Sequence, residues 1–159
     1  MNSKISIVGL LIVTVCVFFS SNTGAIWAEN SSAGVTIYKP GKPIDDSDFI
    51  DVTSQISALG GTVLEGNPII KIRFDSPPAP DGTTAHGVFE QINQAKIRIV
   101  FPFDEHIQVI HGELKITDSA GTVHHLKPGD SYFIAQGTVI LWETLTPRFQ
   151  KSFYNVTHR

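Results

Sequence analysis

The sequence predicts an all-β domain behind a leader and a polar arm. Three observations carry this. Turn residues punctuate the second half of the chain roughly every 8–12 positions, between short apolar runs. Helical patterning between those runs is missing, which argues against a βαβ fold. Residues 97–109 alternate apolar and polar side chains with period two, the signature of a half-buried strand.

At 159 residues the chain has the length of one domain. Twelve Lys and Arg against fifteen Asp and Glu leave no basic stripe to meet phosphates, so nucleic acid is not an expected partner. The single cysteine, Cys16, can make neither an intrachain disulfide nor a multi-thiolate zinc site. A 42% hydrophobic content with ten Phe is ample for a packed core, and the mean hydropathy of +0.07 is high for a soluble domain.

The excess hydropathy lies at the front. Lys4 is the only charged side chain before Glu29; residues 5–19 are almost wholly apolar, and residues 20–28 are small and polar. A charged start, a short apolar run and a small-residue site, with Ala25 and Ala28 as candidate last residues, compose a secretory signal peptide. Fifteen helical residues reach about 22 Å, short of a hydrocarbon core of roughly 30 Å, so a permanent span is disfavoured. The expected organisation is a signal peptide over 1–28, an arm over 29–68 and a barrel over 69–158. The chain is thus expected to be exported to a periplasmic or extracellular compartment, with no membrane association after cleavage. Removing 28 of 159 residues leaves 131, without Cys16, which suits an oxidising compartment. The Asn-x-Ser/Thr patterns at Asn30 and Asn155 read as chance.

In the arm, residues 35–38 predict one short strand. Phe49, Val52, Ile56 and Leu59 recur at helical spacing between Asp48 and Gly60-Gly61, which predicts a short helix. Ile70, Ile72 and Phe74 alternate with Lys71 and Arg73 as a strand. Residues 75–84 hold Pro77, Pro78, Pro80 and Gly82 and form a loop expected over the rim of the barrel. Turns follow at residues 118–121, at Lys127-Pro128-Gly129-Asp130 with Pro and Gly central as in a type II turn, and at Gln136-Gly137. Strands are predicted over 132–134, 139–145 and 150–156.

Within residues 97–109 the odd positions are Ile97, Ile99, Phe101, Phe103, Glu105, Ile107 and Val109. One carboxylate in an apolar row is costly unless it is paired, protonated or bound to a ligand. Pro102 cannot donate to a ladder and is the place where a bulge would break the parity.

Gly87-Val88-Phe89-Glu90, Asp104-Glu105, His111-Gly112-Glu113, Pro128-Gly129-Asp130, Trp142-Glu143 and Lys151 resemble, in order and spacing, the cupin subfamily named for (S)-ureidoglycine aminohydrolase, which includes ethanolamine-utilisation cupins. The resemblance covers residues 87–156. It implies a single small jelly-roll barrel, a double-stranded β-helix with a pocket inside. The metal-binding cupin pattern is not kept. Its first two histidines fall at Ile99 and Phe101, or at Arg98 and Val100 with longer spacing. Its later histidine falls at Ile140, and its proline at Ala135. Glu105 alone keeps a ligand-capable side chain, and one carboxylate is too few for Mn, Fe or Zn. Neither metal nor cofactor is therefore expected. His86, His106, His111, His124, His125 and His158 show no spacing that forces them together and read as surface or turn histidines.

The candidate pocket residues are Glu105, Phe101, Phe103, Ile140, Trp142 and Lys151, with Glu105 the one candidate for a catalytic role. Glu105 is either a structural acid held by a cation, for which the resemblance favours Lys151, or a pocket acid able to bind an amine or move a proton. Trp142 shares parity with Ile140 and belongs either to the pocket or to the core. Glu90 is expected at the surface. Three functions follow: a metal-free cupin that binds a small molecule; an aminohydrolase-like enzyme acting on a small nitrogenous substrate, as the resemblance implies; and a structural protein whose barrel is filled by Phe101, Phe103, Phe133 and Trp142. The resemblance also leaves open a homodimer in which the arm pairs with a second barrel.

Overall fold

The computed structural model describes residues 36–44 and 48–158. The expected signal peptide, its cleavage site, Cys16 and Asn30 lie outside the described residues. Eleven strands are described: β1 Ile50–Asp51, β2 Gly61–Gly66, β3 Ile69–Phe74, β4 Thr84–Ile92, β5 Ala95–Val100, β6 Asp104–His111, β7 Leu114–Thr117, β8 Val123–Leu126, β9 Ser131–Ile134, β10 Val139–Thr144 and β11 Arg148–Val156. They form two antiparallel sheets. One runs β1-β3-β4-β11-β6-β9 and the other β2-β5-β10-β7-β8. The expected all-β jelly-roll class is the one observed.

The alternating row builds both sheets. Ile97 and Ile99 lie on β5 in one sheet, while Glu105, Ile107 and Val109 lie on β6 in the other. Phe101 and Phe103 turn the corner between them. The parity survives Pro102 because the corner is held on both sides: Phe101 N donates to Thr138 O at 2.9 Å, and Gly137 N donates to Phe101 O at 2.8 Å. The odd positions therefore stay inward throughout. They pack with Leu114, Ile116, Ile134, Ile140, Trp142 and Phe149 as one core between the sheets.

The turn residues act as expected. Asp118 O accepts from Gly121 N, and Lys127 O accepts from Asp130 N, each at 3.0 Å. Gly129 has φ +100°, which the second central position of a type II turn requires. Gly87 on β4 has a different reason to be glycine: a Cβ there would stand 2.0 Å from Arg73 O and 2.9 Å from Phe74 Cα, both on the neighbouring backbone.

Several expectations are corrected. Residues 36–38 form no strand. The predicted helix from Phe49 to Leu59 is a two-residue strand β1 followed by a 3-10 turn at Thr53–Gln55, because Ile50 and Asp51 pair with Ile72 and Lys71. β1 and β2, both placed in the arm by the sequence, join the two sheets, so the sheet system begins well before residue 69. Phe133 does not fill the barrel. It is 50% exposed on the outer face of β9, with its ring 4.8 Å from that of His106.

Glu90 is fully buried rather than at the surface. Its Oε1 accepts from Arg148 Nε at 2.6 Å and from Gln150 Nε2 at 2.8 Å. The arm covers this cluster. Ile44 N donates to Gln150 Oε1 at 2.8 Å, and Ile44 O accepts from Arg148 Nη2 at 2.9 Å and Gln150 Nε2 at 3.1 Å. Gly41 N donates to Ile110 O at 2.7 Å beside it.

Candidate functional site

Period-two geometry on three strands brings the polar members of the barrel interior together. Glu105 on β6 stands opposite Asn155 on β11, and Lys151 lies four residues from Asn155 on the same face. Lys151 Nζ reaches Glu105 Oε2 at 2.6 Å, with both side chains 5% exposed. The ammonium also sits 5.0 Å from the ring centroids of Phe89 and of Trp142, within range of both π faces. Burial pushes the Lys151 ammonium below its usual range, and the Glu105 carboxylate opposes that shift by charge and hydrogen bond. The Tyr132 hydroxyl is buried without a partner; burial first, and then the Glu105 charge, hold its pKa well above the ordinary phenol value.

Beside this pair is a cavity of about 160 Å³. Phe89, Ile99, Phe101, Phe103 and Phe153 form its inner wall, and Ile50, Val52, Leu59, Ile72 and Phe74 another. The loop carrying Pro78, Gly82 and Thr83 lies over its rim, as expected of the proline-rich segment. Glu105 and Asn155 are polar groups on its lining, which also includes Gln55, Thr83 and Thr157. Glu105 Oε2 is taken by Lys151, while among the described residues Oε1 makes no hydrogen bond. Asn155 makes no side-chain hydrogen bond, and its Oδ1 is buried.

Of the six expected pocket residues, Glu105, Phe101 and Phe103 line the cavity. Ile140, Trp142 and Lys151 are buried behind it and are absent from its wall. Trp142 belongs to the core: its indole N–H donates to Gln91 Oε1 at 3.1 Å, and its ring packs edge-on against Phe89 and Phe149. Sequence reasoning missed Phe153 and Asn155, although both share the parity of Lys151. It also missed Ile50, Val52 and Leu59, because the helical spacing of Phe49, Val52, Ile56 and Leu59 hid a strand and a turn.

The metal positions of the wider cupin pattern hold no donors. Ile99 and Phe101 point inward, whereas Arg98 and Val100 lie on the exposed parity, so Ile99 and Phe101 occupy the interior sites. Ile140 pairs with Ile99 across β10 and β5. Among the described residues no group of three or more His, Cys, Asp or Glu is placed to hold a metal ion. The side chains present do not fit a resident metal, because Glu105 is the one carboxylate on the cavity wall and no histidine or cysteine joins it there. Four histidines are engaged elsewhere: His86 with Ser76, His106 against Phe133, His124 with Asp118 and His158 with Asp104.

Residues 78–153 match the family model described as a EutQ-like cupin domain. The EutQ protein of Clostridium difficile superposes with a TM-score of 0.50 at 17% identity, over 71% of this chain and 98% of that one. A protein of unknown function from Pseudomonas syringae pv. tomato superposes with a TM-score of 0.53 at 17% identity, over 77% of this chain and 46% of that one. At such identities the likeness is one of fold. No curated protein matches the chain.

Proposed function

We propose that this chain, whose residues 78–153 match a EutQ-like cupin domain, binds a small molecule inside the barrel without a metal. The observation that carries this reading is the cavity of about 160 Å³ between the sheets, walled by phenyl and aliphatic side chains and edged by Glu105. Small-molecule sites are largely apolar concavities with a few placed polar groups, which is the composition here. A cavity of this size argues against a barrel filled by its own side chains. The leader read in residues 1–28 supports export, so the ligand is met outside the cytoplasm.

The experiment is a thermal-shift and ligand-observed NMR screen of the purified chain against single-ring apolar probes such as toluene and phenol. Binding to the unmodified chain and its loss in Ala58→Phe, which puts a ring into the cavity, is the expected result. Binding unchanged in Ala58→Phe places the site elsewhere and overturns the reading. Elemental analysis after dialysis tests the metal-free half: stoichiometric Mn, Fe, Ni or Zn overturns it.

A further inference from the structure

We propose that the barrel cavity selects an uncharged, single-ring-sized molecule with an apolar body and a hydrogen-bond donor at one edge, a phenol or an aromatic amide in chemical class. This rests on the small-molecule reading above and adds what the ligand must be. Size comes first. A cavity of about 150 Å³ accommodates benzene, and this one measures about 160 Å³.

Polarity comes second. Lys151 Nζ lies 2.6 Å from Glu105 Oε2, so the opposite charges of the pair compensate each other. Lys151 donates to Oε2; among the described residues Oε1 makes no hydrogen bond and is an acceptor. A ligand at the polar edge must therefore bring a donor. The Asn155 amide stands opposite Glu105 in register and has no side-chain hydrogen bond. Its Oδ1 is buried without a partner among the described residues, which is costly, so it supplies a second acceptor. A ligand that engages both groups relieves that cost in the complex.

Charge comes third. Because Lys151 already neutralises Glu105, an ammonium entering the cavity finds no uncompensated carboxylate. A carboxylate entering it meets Glu105 as a like charge. Either ion is stripped of water against phenyl walls with no counter-charge left to claim. The amine-binding role first expected of Glu105 is thereby replaced by recognition of a neutral donor.

The test uses four ring-matched probes on the purified chain: phenol, toluene, benzylammonium and benzoate, with dissociation constants from NMR titration. Phenol is expected to bind at least tenfold more tightly than toluene, with both ions at least tenfold weaker than phenol. Asn155→Leu, checked for folding by its melting profile, is expected to reduce the phenol-to-toluene preference by at least threefold. Toluene equal to phenol, or benzylammonium equal to phenol, overturns this inference while leaving a cavity-binding function intact. If none of the four binds, the cavity-binding reading itself fails, and this inference with it.

Discussion

Lys151 and Glu105 meet at 2.6 Å inside the barrel, each side chain 5% exposed, from strands β11 and β6 that are hydrogen-bonded neighbours. Two opposite charges this deep are held by each other and by the Phe89 and Trp142 rings over the ammonium. Attraction of this kind mostly offsets the loss of hydration rather than exceeding it. Removing one partner is therefore expected to cost far more than removing both. Glu105→Gln should lose about 3–5 kcal/mol in urea denaturation, whereas Glu105→Leu with Lys151→Met should fall close to the parent or above it. Equal losses in the single and double variants would show that the pair contributes net stability.

The same pair sets a pH slope. The native Lys151 ammonium is held below its ordinary value, mainly by burial, and Glu105 resists that shift. In Glu105→Gln the resistance is gone, so the native pKa drops further while the unfolded one stays near 10.4. Between those values the unfolded chain binds more protons, and stability rises with pH. The variant should gain stability from neutral toward alkaline pH relative to the parent. Urea midpoints of the two proteins over that range check it, and parallel curves count against it.

Two tyrosines act in the opposite sense at the alkaline end. Burial raises Tyr132, with the Glu105 charge adding to it. Burial also raises Tyr38, with its hydroxyl donating to the Asp75 carboxylate. Their unfolded counterparts ionise near 10 while the native ones keep the proton. The native state then binds more protons, and stability falls as pH rises above about 10. In a tyrosinate absorbance titration, two of the three tyrosines in the chain should lag in the native protein and catch up on unfolding.

At the acid end, Asp118 closes the β7–β8 turn. Its carboxylate accepts from Thr122 N and Ala120 N, each at 2.9 Å, and faces His124 at 3.3 Å. The Thr122 amide first, then His124, holds its pKa below the usual value. That contribution is present above the unfolded pKa near 3.9 and is lost as pH falls through the lower native value. Asp118→Asn keeps an acceptor without a charge. It should flatten the acid limb of stability between about pH 5 and about pH 1. A limb as steep as the parent's would assign it to other groups.

Gln150 is one of the residues that fasten the arm. Gln150 both donates to and accepts from the Ile44 backbone and also donates to Glu90. Gln150→Leu leaves Ile44 N without its partner and Ile44 O and Glu90 Oε1 held by Arg148 alone, at a cost of about 1–3 kcal/mol. Hydrogen exchange at the Ile44 and Gly41 amides should accelerate, and residues 36–44 should become the first site of limited proteolysis. Unchanged exchange at both amides would mean that the bonds from Arg148 to Ile44, from Gly41 to Ile110 and from Tyr38 to Asp75 suffice to hold the arm.

What was legible in the sequence was whatever followed a strict period. The odd row from Ile97 to Val109 announced its face and its single acid, and the turn residues at 118–121 and 127–130 announced their bends. The resemblance supplied Lys151 as the partner of Glu105. Residues 49–59 misled because their spacing fits a helix, while pairing of Ile50 with Ile72 decided otherwise. Glu90 misled because the sequence cannot show that Arg148, Gln150 and the returning arm would enclose it. Phe133 misled because an aromatic ring was taken as core, although its neighbour Ile134 takes the inward place. The cavity itself was invisible, since an unfilled space is a property of several segments at once.

The three-residue corner between β5 and β6 gives the barrel something like a reading frame. Because Ile99, Phe101, Phe103 and Glu105 all face one interior from strands of two different sheets, the spacing between those sheets is counted in residues rather than absorbed by a flexible link. One residue added between Phe101 and Phe103 would turn Glu105, Ile107 and Val109 to solvent and bring Asp104, His106 and Gln108 inside; two added would restore them. Loops such as 75–83 can lengthen in any step, but this corner admits change only in even numbers.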